Sequence, residues 1–373
     1  MDTSTSRSIT DYFSSVPDPR MILKTRHKLT EIITIALCAV IAGADDWVEI
    51  SDFGEAKKEW FKTFLELPGG IPSHDTFARV FSLLDPREFE KSFMGWIRSF
   101  VTGPDIVAID GKTLRRSHDR ANGQSAIHMV NAWAVHHGLI LGLLKTADKS
   151  NEINAIPELM KTLDLQGCIV TADAMGCQKE IARQIVDQGA DYVLALKGNQ
   201  GTLHDDVQLF FEKKQAVEHH EFAFDTFTSV DGGHGRVETR RYTVTSDVQW
   251  FSEYSKWSGL RSFGMVQSER QDGDRVTQET RYFISSLPND AKGFAEAVRG
   301  HWGVENSLHW CLDIAFREDD SRIRQGHAAE NMAVLRSTAL SLIKHDKSRK
   351  TGVKASRKRA GWDNAYLMRL LVT

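Results

Sequence analysis

Two short apolar runs, each ending in an aspartate, constrain the fold of this chain more than any other feature. Residues 106–110 read Ile-Val-Ala-Ile-Asp, and residues 168–173 read Cys-Ile-Val-Thr-Ala-Asp. Nearly continuous apolar runs of this length are typical of strands that are buried on both faces of a sheet. The carboxyl ends of such strands are where α/β proteins usually place their binding sites. The pattern predicts an α/β fold with Asp110 and Asp173 at such ends.

The segments around these runs predict the element order βββαβαβ. Two further strands follow the first run and form an antiparallel meander with it, because His136-His137-Gly138 is a typical tight connection. Helices and strands alternate after the meander, which indicates parallel pairing of the later strands. The predicted segments are strands at 126–135 and 139–147, helices at 153–163 and 178–188, and a strand at 192–196.

Three regions of different character divide the chain into predicted domains. Residues 1–100 carry apolar residues at helical spacing and predict a helical domain, a module that binds DNA in some proteins and only packs in others. Residues 101–343 form the predicted core, with a mostly β insertion at about 205–287. Gly300 is a candidate break in the helix that follows. Residues 344–373 form a basic C-terminal segment, suited either to neutralising phosphates or to being a solvated tail.

Composition and charge exclude several classes of protein. The 373 residues include 41% hydrophobic and 26% charged residues, which is typical of a globular protein and not of a disordered or repetitive one. The four cysteines are scattered and form no C-x-x-C pair, which indicates reduced thiols. The most apolar N-terminal stretch, 32–44, is too short to span a bilayer. We therefore expect a cytoplasmic, nucleoid-associated protein with no membrane partner.

A third candidate acid, Glu305, lies in the motif His301-Trp302-Gly303-Val304-Glu305-Asn306. On a helix, Glu305 falls beside an apolar stripe that contains Val304, Leu308 and Cys311. A carboxylate in this position is able to reach over the margin of a sheet. Periodicity alone favours the alternative, a solvent-exposed glutamate on the flank of a helix.

Asp110, Asp173 and Glu305 together match the kind of ligand set that metal-dependent phosphodiester cleavage requires. Mg²⁺ and Mn²⁺ prefer hard oxygen ligands, and two ions roughly 3.5–4 Å apart activate the nucleophile and stabilise the leaving oxygen. The three acids are therefore the candidate catalytic and metal-binding residues, with Mg²⁺ expected and Mn²⁺ as a substitute. The alternative is a zinc site on His301, Glu305 and His309, but it leaves the two aspartates unexplained.

Basic and polar residues near these acids are candidate DNA contacts. Short polar loops after strands often contact phosphates, although such loops also simply face solvent. Arg236, Arg240 and Tyr242 share one face of a regular strand and form a second candidate surface. The candidate DNA-binding residues are Lys112, Arg115, Arg116, Lys197, Asn199, Gln200, Arg236, Arg240, Arg299 and His301.

Several motifs spread over nearly the whole chain resemble those of the ISAs1 family of bacterial insertion-sequence transposases. This family includes the H-repeat-associated proteins and belongs to the wider IS4-like group. The sequence departs from the wider group at two positions, with His301 where an Arg is usual and Leu312 where a Lys is frequent. The matching motifs are Asp18-Pro19-Arg20, Arg26-His27-Lys28-Leu29, Gly70-Ile71-Pro72-Ser73-His74-Asp75-Thr76-Phe77, Ile109-Asp110-Gly111-Lys112, Lys149-Ser150-Asn151-Glu152-Ile153, Thr171-Ala172-Asp173-Ala174-Met175-Gly176-Cys177-Gln178, Leu196-Lys197-Gly198-Asn199-Gln200, His234-Gly235-Arg236-Val237-Glu238 and the Glu305 motif.

This resemblance implies an RNase H-like catalytic domain with a β insertion before the helix that carries the third acid. It implies a DDE-type, Mg²⁺-dependent reaction in which Asp110, Asp173 and Glu305 are the first, second and third acids. The implied partners are DNA, as the inverted-repeat ends of an element and as target DNA, and a second copy of the chain in a homodimer on DNA. Two alternatives remain open, a transposase-derived DNA-binding protein that no longer cleaves and an RNase H-fold nuclease without strand transfer.

Overall fold

The computed structural model describes residues 12–21, 25–118, 123, 125–146, 151–215, 223–233, 236–348 and 350–372. The chain forms two compact units of mixed α and β structure. The first unit comprises Met1–Gly103, Gly111–Lys149 and Glu305–Thr373, and the second comprises Pro104–Asp110 and Ser150–Val304. Outside the described residues lie Lys149, Ser150, His234 and Gly235 of the family motifs and Arg349 of the basic segment.

Helices dominate the first unit, together with a two-stranded hairpin. Strand β1, Ile106–Thr113, begins in the second unit and ends in the first, where β2 is its neighbour. The helices are α1 (Leu29–Ala42), α2 (Trp47–Ala56), α3 (Lys58–Phe61), α4 (His74–Leu83), α5 (Pro86–Arg98), α10 (Trp310–Ala315), α11 (Ala328–His345), α12 (Val353–Trp362) and α13 (Asn364–Val372), and the hairpin strands are β2 (His128–Ala134) and β3 (Leu139–Thr146).

A sheet with flanking helices forms the second unit. Its strands lie in the order β1-β4-β5-β9-β8-β7-β6, and the pairs β1–β4 and β4–β5 are parallel whereas the other pairs are antiparallel. The elements after β1 are α6 (Glu152–Met160), β4 (Ile169–Ala172), α7 (Lys179–Asp187), β5 (Asp191–Leu196), α8 (Gly201–Gln215), β6 (Phe224–Gly233), β7 (Arg236–Thr245), β8 (Ser262–Asp272), β9 (Arg275–Ser285) and α9 (Ala291–Val304).

The core of the first unit is built around α11. Of its 18 residues, 15 are buried, because the helix packs on α1, α4, α5 and β3. In the first turn of the helix, the side-chain amide of the fully buried Asn331 donates to the carbonyl oxygens of Phe81 (2.8 Å) and Leu84 (3.0 Å). The N-terminal helices and residues 305–372 therefore share one core.

In the second unit, α9 packs on the central strands of the sheet. Its residues Phe294, Ala297 and Val298 are buried against a cluster that includes Tyr242 and Phe283. This close approach depends on Gly264, because a Cβ atom there would lie 2.4 Å from Cζ of Phe294. The packing fixes α9, and with it the residues at its C-terminal end, on the sheet.

Most predicted helices and strands agree with the structure, and two expectations were wrong. Gly300 does not interrupt its helix, because α9 continues to Val304 and the irregularity is a π-helical turn at Glu305–His309. The basic segment from Lys344 is not a solvated tail, because it contains α12 and α13. There, the buried Arg357 donates to the carbonyl oxygen of Val40 and stacks on the ring of Phe316. Among the described helices, none has the length and apolarity needed to cross a membrane.

Candidate active site

Asp110 and Asp173 lie at adjacent positions, directly after the point where the parallel pairing of two strands ends. The register of β1 and β4 ends at the pair Ile109 and Ala172; Asp110 is the next residue of β1, and Asp173 directly follows β4. Neighbouring strands are about 4.8 Å apart, and residues at matching positions of a parallel pair carry their side chains on the same face. Both carboxylates are half-buried. Asp173 thus lies at the end of its strand, as the apolar run predicted, whereas β1 continues beyond Asp110 to Thr113.

Hydrogen bonds to the backbone orient the carboxylate of Asp173. Its Oδ1 accepts from the backbone N–H groups of Met175 (2.9 Å) and Gly176 (3.4 Å), which caps the short helical turn Ala174–Gly176. Position 176 requires glycine, because a Cβ atom would lie 2.5 Å from Cβ of Ala172. One oxygen of Asp173 is thus held by the turn that follows its strand.

Two predicted DNA-binding residues support this turn. Asn199 donates to the carbonyl oxygen of Ala174 (2.6 Å), and Gln200 donates to that of Cys177 (2.9 Å). The loop after β5 is in this way fastened to the loop after β4. Lys197, in the same loop, is exposed. The amides therefore have a structural role, whereas the ammonium group of Lys197 faces solvent.

His301, near the end of α9, lies beside the same strand. Its Nδ1 is hydrogen-bonded to Oγ1 of Thr171 at 3.1 Å. Burial lowers the pKa of His301 to about 4, since the opposing effect of Asp173 is smaller and Arg281 lowers the pKa further. The imidazole is therefore uncharged at neutral pH, which argues against a phosphate contact through a cationic ring.

Glu305 is the first residue of the π-helical turn and is exposed. It belongs to the first unit, whereas the two aspartates belong to the second. Among the described residues, no group of three or more His, Cys, Asp or Glu side chains is arranged to hold a metal ion. This applies equally to the predicted acid trio and to the zinc alternative on His301, Glu305 and His309.

Lys112 lies in a buried ion-pair cluster. Its Nζ is 2.7 Å from Asp313, 3.2 Å from Glu318 and 3.2 Å from Asp319. Burial alone would lower the pKa of Lys112, but the three carboxylates more than offset it and raise the pKa. Of the neighbouring candidate DNA contacts, Arg115 is 81% exposed and pairs with Asp319. The charge of Lys112 is thus neutralised inside the protein.

The predicted arginine surface on β7 is largely covered. Arg240 is buried, pairs with Asp231 and Glu238, and lies over the ring of Trp302. Tyr242 is fully buried. The face of β7 is therefore covered at both Arg240 and Tyr242, because α9 packs on it.

Of the three remaining predicted arginines, Arg116 lies 3.6 Å from Asp320, and the other two lie in exposed ion pairs of the second unit. Arg236 pairs with Asp272 at 3.0 Å, and Arg299 pairs with Asp231 at 3.1 Å. Exposed pairs of this kind are weak and exchange readily with other partners. Arg236 and Arg299 therefore remain accessible cations.

Sequence reasoning missed the acidic partners of Lys112, although a signal was present. Asp313, Glu318 and Asp319 form an acidic group in the sequence eight to fourteen residues after Glu305. Nothing in their spacing identifies a lysine 200 residues earlier as the partner. The uncharged state of His301 was also missed, since it depends on burial by the sheet.

The fold and the site define a class, an α/β protein with two acids at adjacent positions where the pairing of two parallel strands ends. Comparison with known families shows which family of this class the chain belongs to. Residues 10–97 match the DDE_Tnp_1-associated family model, and residues 101–342 match the model of the transposase DDE domain. The chain belongs to the DDE transposase family.

Relatives of similar length carry transposase names. The "Putative transposase YncI" of Escherichia coli O157:H7 is 44% identical, over 98% of this chain and 95% of that protein. The "H repeat-associated putative transposase YhhI" of Escherichia coli K12 is 40% identical, over 98% of each. A solved piggyBac transposase synaptic complex with hairpin DNA matches with a TM-score of 0.39 and 10% identity, over 94% of this chain and 75% of that chain, a likeness too weak to bear on the fold.

Proposed function

We propose that this protein is an active DNA transposase with an RNase H-like core, which binds the ends of an insertion sequence, cleaves there and joins them to target DNA. The observation that carries the proposal is the placement of Asp110 and Asp173 at adjacent positions, directly after the last paired residues of two parallel strands. Family membership supports the reaction class. Glu305 is proposed as the third acid because it follows His301 by about one helical turn, and His301 is bonded to the strand that carries Asp173.

The donor set suits Mg²⁺ or Mn²⁺, because carboxylate oxygens are the ligands that these cations prefer. When bound between the acids, the cations would lower the pKa of the attacking hydroxyl and stabilise charge on the leaving oxygen. The protein's own contribution is orientation: Met175 and Gly176 hold one oxygen of Asp173, and the uncharged His301 adds no positive charge that competes for the acids.

The proposed reaction consists of two in-line displacements at phosphorus. In the first, a water oxygen attacks a phosphodiester at the element end and the bond to the 3′ oxygen breaks, which leaves a 3′-hydroxyl and a 5′-phosphate. In the second, this 3′ oxygen attacks a phosphodiester of target DNA and displaces the target's 3′ oxygen. The number of phosphodiester bonds is conserved in the second step, so strand transfer needs no external energy source.

Cleavage and strand transfer by purified protein test the proposal. The substrate is linear DNA that carries the terminal inverted repeats flanking the reading frame, with Mg²⁺, and with supercoiled plasmid as the target. We expect the substitutions Asp110→Asn, Asp173→Asn and Glu305→Gln each to reduce cleavage at least 10³-fold, roughly the loss of about 4 kcal/mol of transition-state stabilisation. DNA binding in EDTA should be unchanged. The matched control is Glu296→Gln on the preceding α9, which should retain full cleavage.

Three outcomes distinguish the alternatives. Full cleavage by all three variants would eliminate the acid assignment. Binding without cleavage by the wild-type protein would favour a DNA-binding protein that has lost activity. Degradation of DNA that lacks element ends, without joining to the plasmid, would identify a nuclease without strand transfer.

A further inference from the structure

A cavity of about 720 Å³ opens on the first unit, and three of the family motifs line it. The lining comes from residues 19–21, 25–27 and 69–83. Sequence reasoning assigned no role to these motifs. Because segments separated by more than forty residues converge on one cavity, the motifs describe a single structural feature.

Hydrogen bonds fasten the motif segments to one another. Arg20 is paired with Asp18 in two hydrogen bonds (2.8 and 2.7 Å) and donates to the carbonyl oxygen of His27 (3.0 Å). The ring of His27 is bonded through Nδ1 to the carbonyl oxygen of Gly70 (3.1 Å). Gly69 permits the close approach, because a Cβ atom there would lie 2.5 Å from the carbonyl oxygen of Arg26. The cavity wall is therefore a built structure.

The loop that leads into Gly69 of the cavity wall contains a strained residue, Leu67. Leu67 has φ +47°, a left-handed conformation that costs a non-glycine residue about 1–3 kcal/mol. Its N–H group donates to Oε1 of Glu31 at 2.9 Å, and Glu31 is only 4% exposed. A buried carboxylate thus holds the loop in a shape that the backbone alone would avoid. Strain of this kind is typical of sites where a loop must present a fixed surface.

The charge of the lining identifies the ligand class. The described residues that line the cavity include three arginines, Arg20, Arg26 and Arg79, and no carboxylate. Arg20 is neutralised by Asp18. Among the described residues, the exposed guanidinium groups of Arg26 and Arg79 have no hydrogen-bond or ion-pair partner. Each unpaired guanidinium group presents a planar fork of N–H donors, and this geometry suits the oxygens of a phosphate.

We propose that this cavity, through Arg26 and Arg79, binds the phosphate backbone of duplex DNA. The inference rests on the proposed function, which makes DNA the polyanion that the protein meets. It assigns to the N-terminal region a sequence-independent positioning contact, since guanidinium contacts to phosphates fix register without reading bases. The face of the first unit that carries the cavity is then a DNA-binding surface, and none of the three candidate acids lines the cavity.

Binding of a short fluorescein-labelled duplex of arbitrary sequence, followed by anisotropy in EDTA over a series of KCl concentrations, tests this proposal. For the double variant Arg26→Ala/Arg79→Ala we expect affinity to fall about tenfold or more. The slope of log K against log salt should decrease in magnitude by about 1.8, since each lost phosphate contact removes about 0.9. The variant Arg26→Lys/Arg79→Lys, which keeps the charges, should keep most of the slope.

Lys91→Ala is the matched control, because Lys91 is an exposed cation on α5 of the same unit and does not line the cavity. It should leave affinity and slope unchanged. A double alanine variant with the wild-type slope would overturn the inference, as would displacement of the duplex by inorganic phosphate at constant ionic strength, which would identify free phosphate as the ligand. If the wild-type protein cleaves DNA and the double alanine variant binds DNA as the wild type does, only the proposed role of the cavity is refuted. If the wild-type protein binds no DNA, the proposed function is refuted as well.

Discussion

The imidazole of His301 is held uncharged between a buried helix and the strand that carries Asp173. Burial lowers its pKa to about 4, from an ordinary value of 6.5. Between these two values the unfolded chain binds a proton that the folded protein does not bind. The free energy of unfolding therefore falls as the pH decreases from 6.5 towards 4, and the contribution of His301 is complete only above 6.5.

The substitution His301→Asn tests this linkage. We expect the difference in unfolding free energy between wild type and variant to shrink by up to about 3 kcal/mol between pH 7 and pH 4, because only the wild type carries this proton-linked term. Urea unfolding at a series of pH values measures the difference, and NMR titration of the imidazole measures the pKa directly. A difference that does not change with pH would contradict the prediction.

At the scale of single residues, the sequence was informative where one residue ends a uniform run. Strands β1 and β4 could be predicted because the residues before Asp110 and Asp173 form nearly continuous apolar runs, although β1 continues beyond Asp110 to Thr113. The protonation state of His301 could not be predicted, since it depends on Thr171 and on Arg281 of β9, which the chain brings together only after folding.

At the scale of helices and strands, one buried lysine, Lys112, connects the end of β1 to the region after Glu305. Lys112 follows Asp110 by two residues, and its partner Asp313 lies on α10, eight residues after Glu305. The cluster also includes Glu318, which is only 2% exposed. We therefore regard Lys112 as a positioning residue for α10 and its preceding turn, and not as a DNA contact.

Two substitutions in the cluster should differ sharply in their effects. Lys112→Met leaves Glu318 charged and buried without its partner, which should lower the free energy of unfolding by roughly 3–5 kcal/mol. Arg115→Ala removes an exposed partner of the same Asp319, which should cost less than about 1 kcal/mol. Urea denaturation of both variants measures the contrast. Equal effects would show that the lysine is not a buried anchor.

The elements predicted well are those with strong local periodicity. Strands β1 and β4 carry nearly continuous apolar runs, and helices α6 and α7 follow helical apolar spacing, so all four were predicted from the local pattern. The π-helical turn at Glu305–His309 could not be predicted, because one such turn leaves no mark on composition. Gly300 was misleading, since a buried glycine inside a helix has the same appearance in the sequence as one that ends a helix.

At the scale of the whole molecule, the structure differs most from what the order of the segments along the chain indicates. The first unit joins residues 1–103 to residues 305–373, and α11 supplies the surface on which α1, α4 and α5 pack. A division into consecutive domains, with an independent helical module at 1–100, stays a prediction. Long-range pairing of this kind leaves no local signal, because the N-terminal helices are amphipathic whichever partner covers them.

This arrangement predicts the behaviour of a fragment. Residues 1–103 expressed alone should lack a cooperative urea transition, and the amides of α1 should exchange rapidly with solvent, because the apolar faces of α1, α4 and α5 lose their cover. Hydrogen exchange measured by mass spectrometry, with the full-length protein as the reference, gives the comparison. Strong protection of α1 in the isolated fragment would establish an autonomous domain.

The shared core of the first unit also has a consequence for biosynthesis. During translation, α1, α4 and α5 leave the ribosome long before α11, because α5 ends at Arg98 and α11 begins at Ala328. Their apolar faces therefore stay uncovered until synthesis is nearly complete. A copy of the gene with an early stop codon would therefore yield a chain exposed to proteases and chaperones, and not a shortened competitor that occupies DNA. Loss of the last helices would silence such a copy completely, even with Asp110 and Asp173 still encoded.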